Sequence, residues 1–231
     1  MDNRIYEYAI NSMNDRMNHY DPTSNDICRM LITGDKTLVS VCEEKSDKMK
    51  VFLNNINLKT ELRKPTFYKE LLQALELNPD EYILEPSDEF IEDRSYNCRH
   101  TLEFVCNKDI YTKIYSDIKI NEVHRGENDF RLEPNFGDIM YCVYEDDRVV
   151  AMSYYRPNHD KFEGTYAMQV STRKEFRNKG YGKAVANAAT ADVCNKDGLA
   201  LWVCQVENHV SIKIAENLGY IFLGGEIRIM K

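Results

Sequence analysis

The chain has 231 residues, 43% hydrophobic and 29% charged, an ordinary globular composition with enough length to bury a core without disulfide staples. At ~150 residues per domain the length allows one large domain or two small ones. The net charge of −8, from 38 acidic and 30 basic residues, argues against a nucleic-acid binder or a protein docked on an anionic membrane, because either needs a basic face; a cationic small substrate is tolerated.

No apolar run approaches the ~20 residues of a membrane span. The opening MDNRIYEYAI has neither the basic region nor the apolar stretch of a signal peptide. The seven cysteines (28, 42, 98, 106, 142, 194 and 204) are odd in number and form no C-x-x-C pair. They read as buried thiols in a reducing compartment, the cytoplasm, with neither a metal site nor a disulfide framework.

In chain order, residues 3–19 can form a helix, with Ile5, Ala9, Met13 and Met17 at near-helical spacing. Thr37–Cys42 and Met49–Leu53 read as short strands around a charged turn. Pro65 precedes a predicted helix over Thr66–Leu77, stopped by Asn78-Pro79. Glu76 to Asp93 holds eight acids and no Lys or Arg, with Pro79 and Pro86 inside it. We place a boundary near this stretch, giving a region 1–97 and a domain 98–231; a charged surface loop within one domain is the alternative. The charge supports the division, since residues 1–95 hold 19 acids against 12 bases.

In the second part, Leu102–Cys106 reads as a strand and Asp109–Tyr115 as a helix. Ile139–Tyr144 and Val149–Tyr155 flank the turn Glu145-Asp146-Asp147-Arg148 and read as a hairpin. Thr165–Thr172 is a further strand. Gly180 to about Asn195 is an alanine-rich helix with Val185, Ala188, Ala189 and Val193 on one face. Leu199–Val203 is an apolar strand, and Asn208–Leu218 a helix ended by Gly219. Tyr220–Leu223 and Ile227–Met230 read as a strand pair around Gly224-Gly225. The order is that of a mixed α/β sheet.

The most informative letters run from Val170 to Ala184, VSTRKEFRNKGYGKA. A strand enters a basic, glycine-punctuated loop at which a helix begins. Such a helix start offers unpaired N–H groups and the positive end of the macrodipole, which suits a diphosphate. A P-loop is excluded because Arg177 and Ala184 stand where it needs Gly and Ser or Thr. A dinucleotide fingerprint is excluded because its third glycine is Val185. What remains is R-x-x-G-x-G, filled by Arg177, Gly180 and Gly182; a plain basic helix start is the other reading of the same letters.

This stretch resembles the coenzyme A diphosphate-binding motif of the GNAT superfamily of N-acetyltransferases. Its longer V-x-T-x-x-x-x-R-x-K-G-Y-G form is similar to a bacterial subgroup with a degenerate N-terminal half. A second motif stands at the distance that family expects: the strand ending near Gln205, then Asn208-His209-Val210-Ser211, then a helix and Leu218-Gly219-Tyr220. The resemblance spans about residues 98–231 and is sharp over 165–222, while residues 1–95 carry no motif.

The resemblance implies a mostly antiparallel α/β sheet flanked by helices, splayed into a V-shaped cleft for acetyl-CoA, with a smaller α/β region before it that is either a degenerate half-domain or a partner-binding module. It implies that Met168, Gln169, Val170 and Thr172 line the pantetheine arm. Asn178, Lys179, Gly180, Tyr181, Gly182 and Lys183, with Arg177, would hold the diphosphate. Asn208 and Ser211 would face the arm and the acetyl end. The expected activity is acetyl transfer from acetyl-CoA to a primary amine, first of a small molecule and second of a peptide; a CoA-binding sensor without turnover is the alternative.

The catalytic task is to position an amine, supply an oxyanion donor near the Val170 N–H, and accept a proton. Asn208 and Glu163 are the candidate catalytic residues. The commoner reading of Glu163 is a turn carboxylate in Asp160-Lys161-Phe162-Glu163-Gly164; strand alternation points Glu207 away from Asn208, and His209 and His159 read more readily as surface or loop histidines than as the base. Tyr154, Tyr155 and Tyr166 are aromatic strand residues that either line the acceptor cleft or fill the core. One departure stands out: many members of the family carry a tyrosine seven residues after the motif asparagine, and here that position is Ala215. The exposed edge of a splayed sheet allows a homodimer. No nucleic acid, membrane or metal is expected as a partner.

Overall fold

The computed structural model describes residues 4–5, 7–8, 11, 26–33, 36–86, 96–124, 139–158 and 163–231. Nine strands and five α-helices are defined among them, in a mixed α/β arrangement in which most neighbouring strands are antiparallel. The chain divides into two compact units: residues 1–103, 204–209 and 222–231 form the first, residues 104–203 and 210–221 the second.

In the first unit, β1 (Asp26–Thr33) and β2 (Lys36–Val41) form an antiparallel pair, and β9 (Ile221–Met230) lies antiparallel on the other side of β1. β3 (Cys98–Cys106) is the neighbour of β9. The helices α1 (Ser46–Asn54), α2 (Leu58–Glu61) and α3 (Phe67–Ala74) follow β2. Met49, Leu62, Phe67, Leu71, Leu72 and Leu75 are buried, and the Phe52 ring stacks on Phe67 at 5.9 Å between centroids.

Two expectations fail in this unit. Met49–Leu53 is not a strand but part of α1. A short apolar run fits either periodicity, and Met49 and Phe52, three residues apart, turn the same helical face inward. The strand pair expected around Gly224-Gly225 is one continuous strand, β9. These glycines make no turn; they admit neighbouring backbones. A Cβ at Gly224 would lie 1.8 Å from Ile32 O, and one at Gly225 2.2 Å from Thr101 O. The strand Thr37–Cys42 is found as β2, and the helix after Pro65 as α3, with Pro79 opening a short 3-10 turn capped by Asn78. Of the helix expected over 3–19, Arg4, Ile5, Glu7, Tyr8 and Asn11 are helical; Ala9, Met13 and Met17 lie outside the described residues.

In the second unit, β4 (Asn121–His124), β5 (Ile139–Glu145), β6 (Arg148–Pro157) and β7 (Thr165–Thr172) form an antiparallel series. β8 (Leu199–Gln205) then runs parallel to β7. The β5–β6 hairpin closes on Asp146 and Asp147, both at positive φ (48° and 60°), the two-residue turn whose twist matches its strands. α4 (Tyr181–Asn195) buries Val185, Ala186, Ala189, Thr190 and Val193 against β5, β6 and β7, with Ala188 half-buried at the margin. α5 (His209–Asn217) begins after Asn208, and Gly219, at φ 86°, follows its end.

The helix expected over Asp109–Tyr115 does not form, because its backbone N–H groups are taken elsewhere. Asn107 Oδ1 accepts from Asp109 and Ile110, Leu218 O accepts from Thr112, and Asn187 Oδ1 accepts from Ile114 at 2.9 Å. The segment is a strap held by α4 and the end of α5.

Candidate active site

The site is built on one irregularity of pairing. β7 and β8 are joined at Thr165↔Leu199, Tyr166↔Ala200 and Ala167↔Leu201, and at no later pair, although β7 continues to Thr172. From Met168 onward the two strands part. β7 stays paired to β6 throughout, from Pro157↔Tyr166 to Ala151↔Thr172.

The direction of the unpaired groups follows from alternation. Asn158 N–H donates to Thr165 O, Arg173 N–H to Val150 O, and Ser153 Oγ to Gln169 O. Odd-numbered residues of β7 therefore spend their backbone groups on β6. Met168, Val170 and Thr172 turn theirs to the other side, where Val170 and Thr172 have no β8 partner. Thr172 O already accepts from Arg177 Nε at 3.2 Å.

β7 leads through a short 3-10 turn (Lys174–Phe176) into the start of α4. Asn178 and Gly180 take left-handed backbone at φ 65° and 83°, which Asn and Gly tolerate best. Gly180 is the N-cap and no side chain caps the helix, so the first-turn N–H groups of α4 face outward at the positive end of its dipole. Gly182 has a packing reason to be glycine: a Cβ there would lie 2.8 Å from Thr172 Oγ1. Helix start and strand end thus approach more closely than an alanine allows.

Five basic residues and one acid lie between 173 and 183. Among the described residues no carboxylate pairs with Lys174, Lys179 or Lys183. Lys179 Nζ sits over the rings of Phe176 and Tyr181, at 4.9 and 5.9 Å. The Tyr181 hydroxyl donates to Glu145. That carboxylate pushes the Tyr181 pKa up and ties the helix start to the β5–β6 hairpin.

The structure brings Met168, Val170, Thr172, Arg177, Asn178, Lys179, Gly180, Tyr181, Gly182 and Lys183 into one strand–turn–helix segment; Gln169 lies in the same strand, exposed, with its backbone carbonyl committed to Ser153. Ser211, in α5, accepts the Trp202 indole N–H at 2.9 Å, and Trp202 packs edge-on against Tyr220. Asn208 belongs to the first unit, half-buried, its N–H on Gln205 O.

Glu163 is an exposed turn residue before Gly164, at the end of β7 where β8 is still paired. At ~3.3 Å per strand residue it stands roughly 20 Å along the chain from Val170. Tyr155 and Tyr166 pack edge to face at 5.3 Å, and the Tyr155 hydroxyl donates to Asp192. Burial pushes the Asp192 carboxylate up, but hydrogen bonds from Tyr155, Lys196 and Tyr141 outweigh it and leave it below the usual range; these groups tie β5 and β6 to α4. Glu207 and His209 are exposed, and His159 lies outside the described residues. Ala215 is fully buried.

An open strand thus lies beside an uncapped, basic helix start. A family model described as GNAT acetyltransferase matches residues 13–224. The chain belongs to the GNAT acetyltransferase family, and the match includes most of the N-terminal region, which carries no motif of its own. Solved structures similar to the chain include a GNAT-family protein from Novosphingobium aromaticivorans (15% identity, 55% of this chain and 62% of that one, TM-score 0.44). A GCN5-related N-acetyltransferase-like protein from Streptococcus suis is another (15% identity, 58% and 63%, TM-score 0.42). A Drosophila protein matches over 98% of this chain and 88% of its own at 10% identity and TM-score 0.42. The matches to the first two span less than two thirds of those proteins' lengths. No curated protein matches the sequence. Among the described residues no helix is long and apolar enough to cross a membrane.

Proposed function

We propose that the protein is an N-acetyltransferase that moves an acetyl group from acetyl-CoA to a primary amine of a small molecule. The observation that carries this reading is the loss of β7–β8 pairing after Ala167 next to the uncapped start of α4. The residues fit the cofactor: outward first-turn N–H groups, the Gly182 approach that keeps a side chain out, and three lysines that no described carboxylate pairs suit a diphosphate. The open backbone of Val170 and Thr172 suits an amide-bearing arm.

When bound, acetyl-CoA supplies a thioester: the amine nitrogen forms the new C–N bond, the C–S bond breaks with its electron pair on sulfur, and the amine loses a proton. The chain's part is to bind and orient. Gly180 to Lys183 and Arg177 hold the diphosphate end. The Val170 N–H, directed away from β6, would donate to the thioester oxygen as it gains negative charge. Ser211 would face the cofactor arm, as its motif implies. We leave the proton acceptor to water, because Glu163 stands at the paired end of β7. Residues 98–231 would carry this machinery, and residues 1–97 would be a degenerate half-domain of the same family.

Ala215 favours a second reading, a CoA-binding sensor without turnover, because no hydroxyl occupies that buried position. Calorimetry with acetyl-CoA and thiol release across a panel of amines decide between them. Binding with amine-dependent thiol release supports the transferase. Binding without release on any amine supports the sensor, and no binding refutes both.

A further inference from the structure

The sheet face turned away from α4 carries a cation that, among the described residues, has no anionic partner. Tyr155 reaches Asp192 on α4, so by strand alternation Tyr154 and Arg156 occupy the opposite face of β6. The register sets Gln169 beside Tyr154 and Ala167 beside Arg156 on that face. Tyr154 packs there against the buried cluster of Val123, Met140 and Cys142. The Arg156 guanidinium lies over the Tyr154 ring, 5.3 Å from its centroid, and Nη2 donates to the Tyr154 hydroxyl at 3.0 Å. Arg156 Nε is buried and, among the described residues, finds no acceptor, and no carboxylate pairs with the side chain. A buried cationic N–H without an acceptor costs free energy, and the planar fork it belongs to is shaped for a carboxylate.

Its position gives this a use. Ala167 is the last residue of β7 paired with β8, so Arg156 stands beside the point where the strands part. On the reading above, on which this inference rests, the cofactor's diphosphate lies at the start of α4. An amine would then approach from the other face, which Arg156 borders.

We propose that Arg156 binds a carboxylate carried by the acceptor, so that the acceptors are small amino acids rather than simple amines. Tyr154 holds the guanidinium in place, and the exposed Gln169 beside it offers a further polar contact.

The test uses the full-length protein and matched acceptors, glycine with glycinamide and phenylalanine with phenylalaninamide, read by thiol release from acetyl-CoA. The amide amines are less basic, so near neutral pH a larger share of each is unprotonated and available to react, which favours the amides. We expect the amino acids to exceed their amides roughly tenfold or more in kcat/KM. The preference should vanish in Arg156→Gln through KM and survive in part in Arg156→Lys. Calorimetry of N-acetylphenylalanine against the CoA-saturated protein reads the same contact without turnover. Melting temperatures confirm that each variant folds, and Arg156→Lys serves if Arg156→Gln does not. Equal or better use of the amides, no binding of N-acetylphenylalanine, or binding indifferent to both substitutions overturns the assignment. Acetyl-CoA binding in the same samples separates the two claims: its presence with any of these outcomes refutes the Arg156 site alone, and its absence refutes the transferase reading and this inference with it.

Discussion

Replacing Gly182 by alanine tests the close approach of the α4 start to the end of β7. The new Cβ would stand 2.8 Å from Thr172 Oγ1, about 0.6 Å inside the 3.4 Å of an ordinary contact. Thr172 is β-branched and stiff at χ1, and its carbonyl accepts from Arg177, so the strand or the helix must give. Overpacking of this kind costs ~1–3 kcal/mol, while alanine in place of glycine in a helix returns up to ~1 kcal/mol. The expected net loss is ~1–2 kcal/mol in urea unfolding, with weaker acetyl-CoA binding because the helix start moves. Removing the obstacle should remove the cost: without Oγ1 the nearest atoms to that Cβ are at 4.0 Å. In a Thr172→Ala background Gly182→Ala should therefore be neutral or stabilising, a coupling of ~1–3 kcal/mol across the double-mutant cycle. Single and double effects that add within ~0.5 kcal/mol would refute the claim that this glycine is set by the strand–helix approach.

Gly180→Ala meets only Ile118 Cδ1 at 3.6 Å, so its cost is conformational: with φ at 83°, a loss of ~1–2 kcal/mol and reduced acetyl-CoA affinity are expected, and an unchanged urea midpoint would contradict the left-handed cap. Gly224→Ala sets a Cβ 1.8 Å from Ile32 O within the β1–β9 ladder and should cost at least ~3 kcal/mol; a soluble variant with the parent's melting temperature would show that β9 is not seated there. His100 is fully buried, its Nε2–H donates to Leu62 O at 2.7 Å, and burial holds its pKa down to about 4. The unfolded chain therefore takes up this proton below pH ~6.5 while the native one stays neutral, so stability present above pH ~6.5 falls by about 3 kcal/mol as the pH drops to 4. Urea midpoints across that range should show the decline, His100→Asn should flatten it, and an equal decline in the variant would remove His100 as its source.

Legibility differed along the chain for physical reasons. The β5–β6 hairpin could be read because alternating apolar residues flank two adjacent aspartates that accept positive φ, a wholly local code. The start of α4 could be read because Arg177 supplies charge and Gly180 backbone freedom at fixed spacing. Met49–Leu53 misled because five residues fit both periods, and only burial against α3 selects the helix. Asp109–Tyr115 misled because helical propensity was outweighed by acceptors on Asn107, Asn187 and Leu218, the last two distant in sequence.

The amino-acid sequence by itself determined the basic, glycine-punctuated loop, the order of elements from residue 139 to Gly219 and the family they resemble, since each rests on local conformational preference. Only the tertiary structure decided where β7 leaves β8, why Gly182, Gly224 and Gly225 are glycines, and that Arg156 is left with a buried donor. Those features arise from backbones and side chains brought together from distant parts of the chain, and no local spacing encodes such an approach.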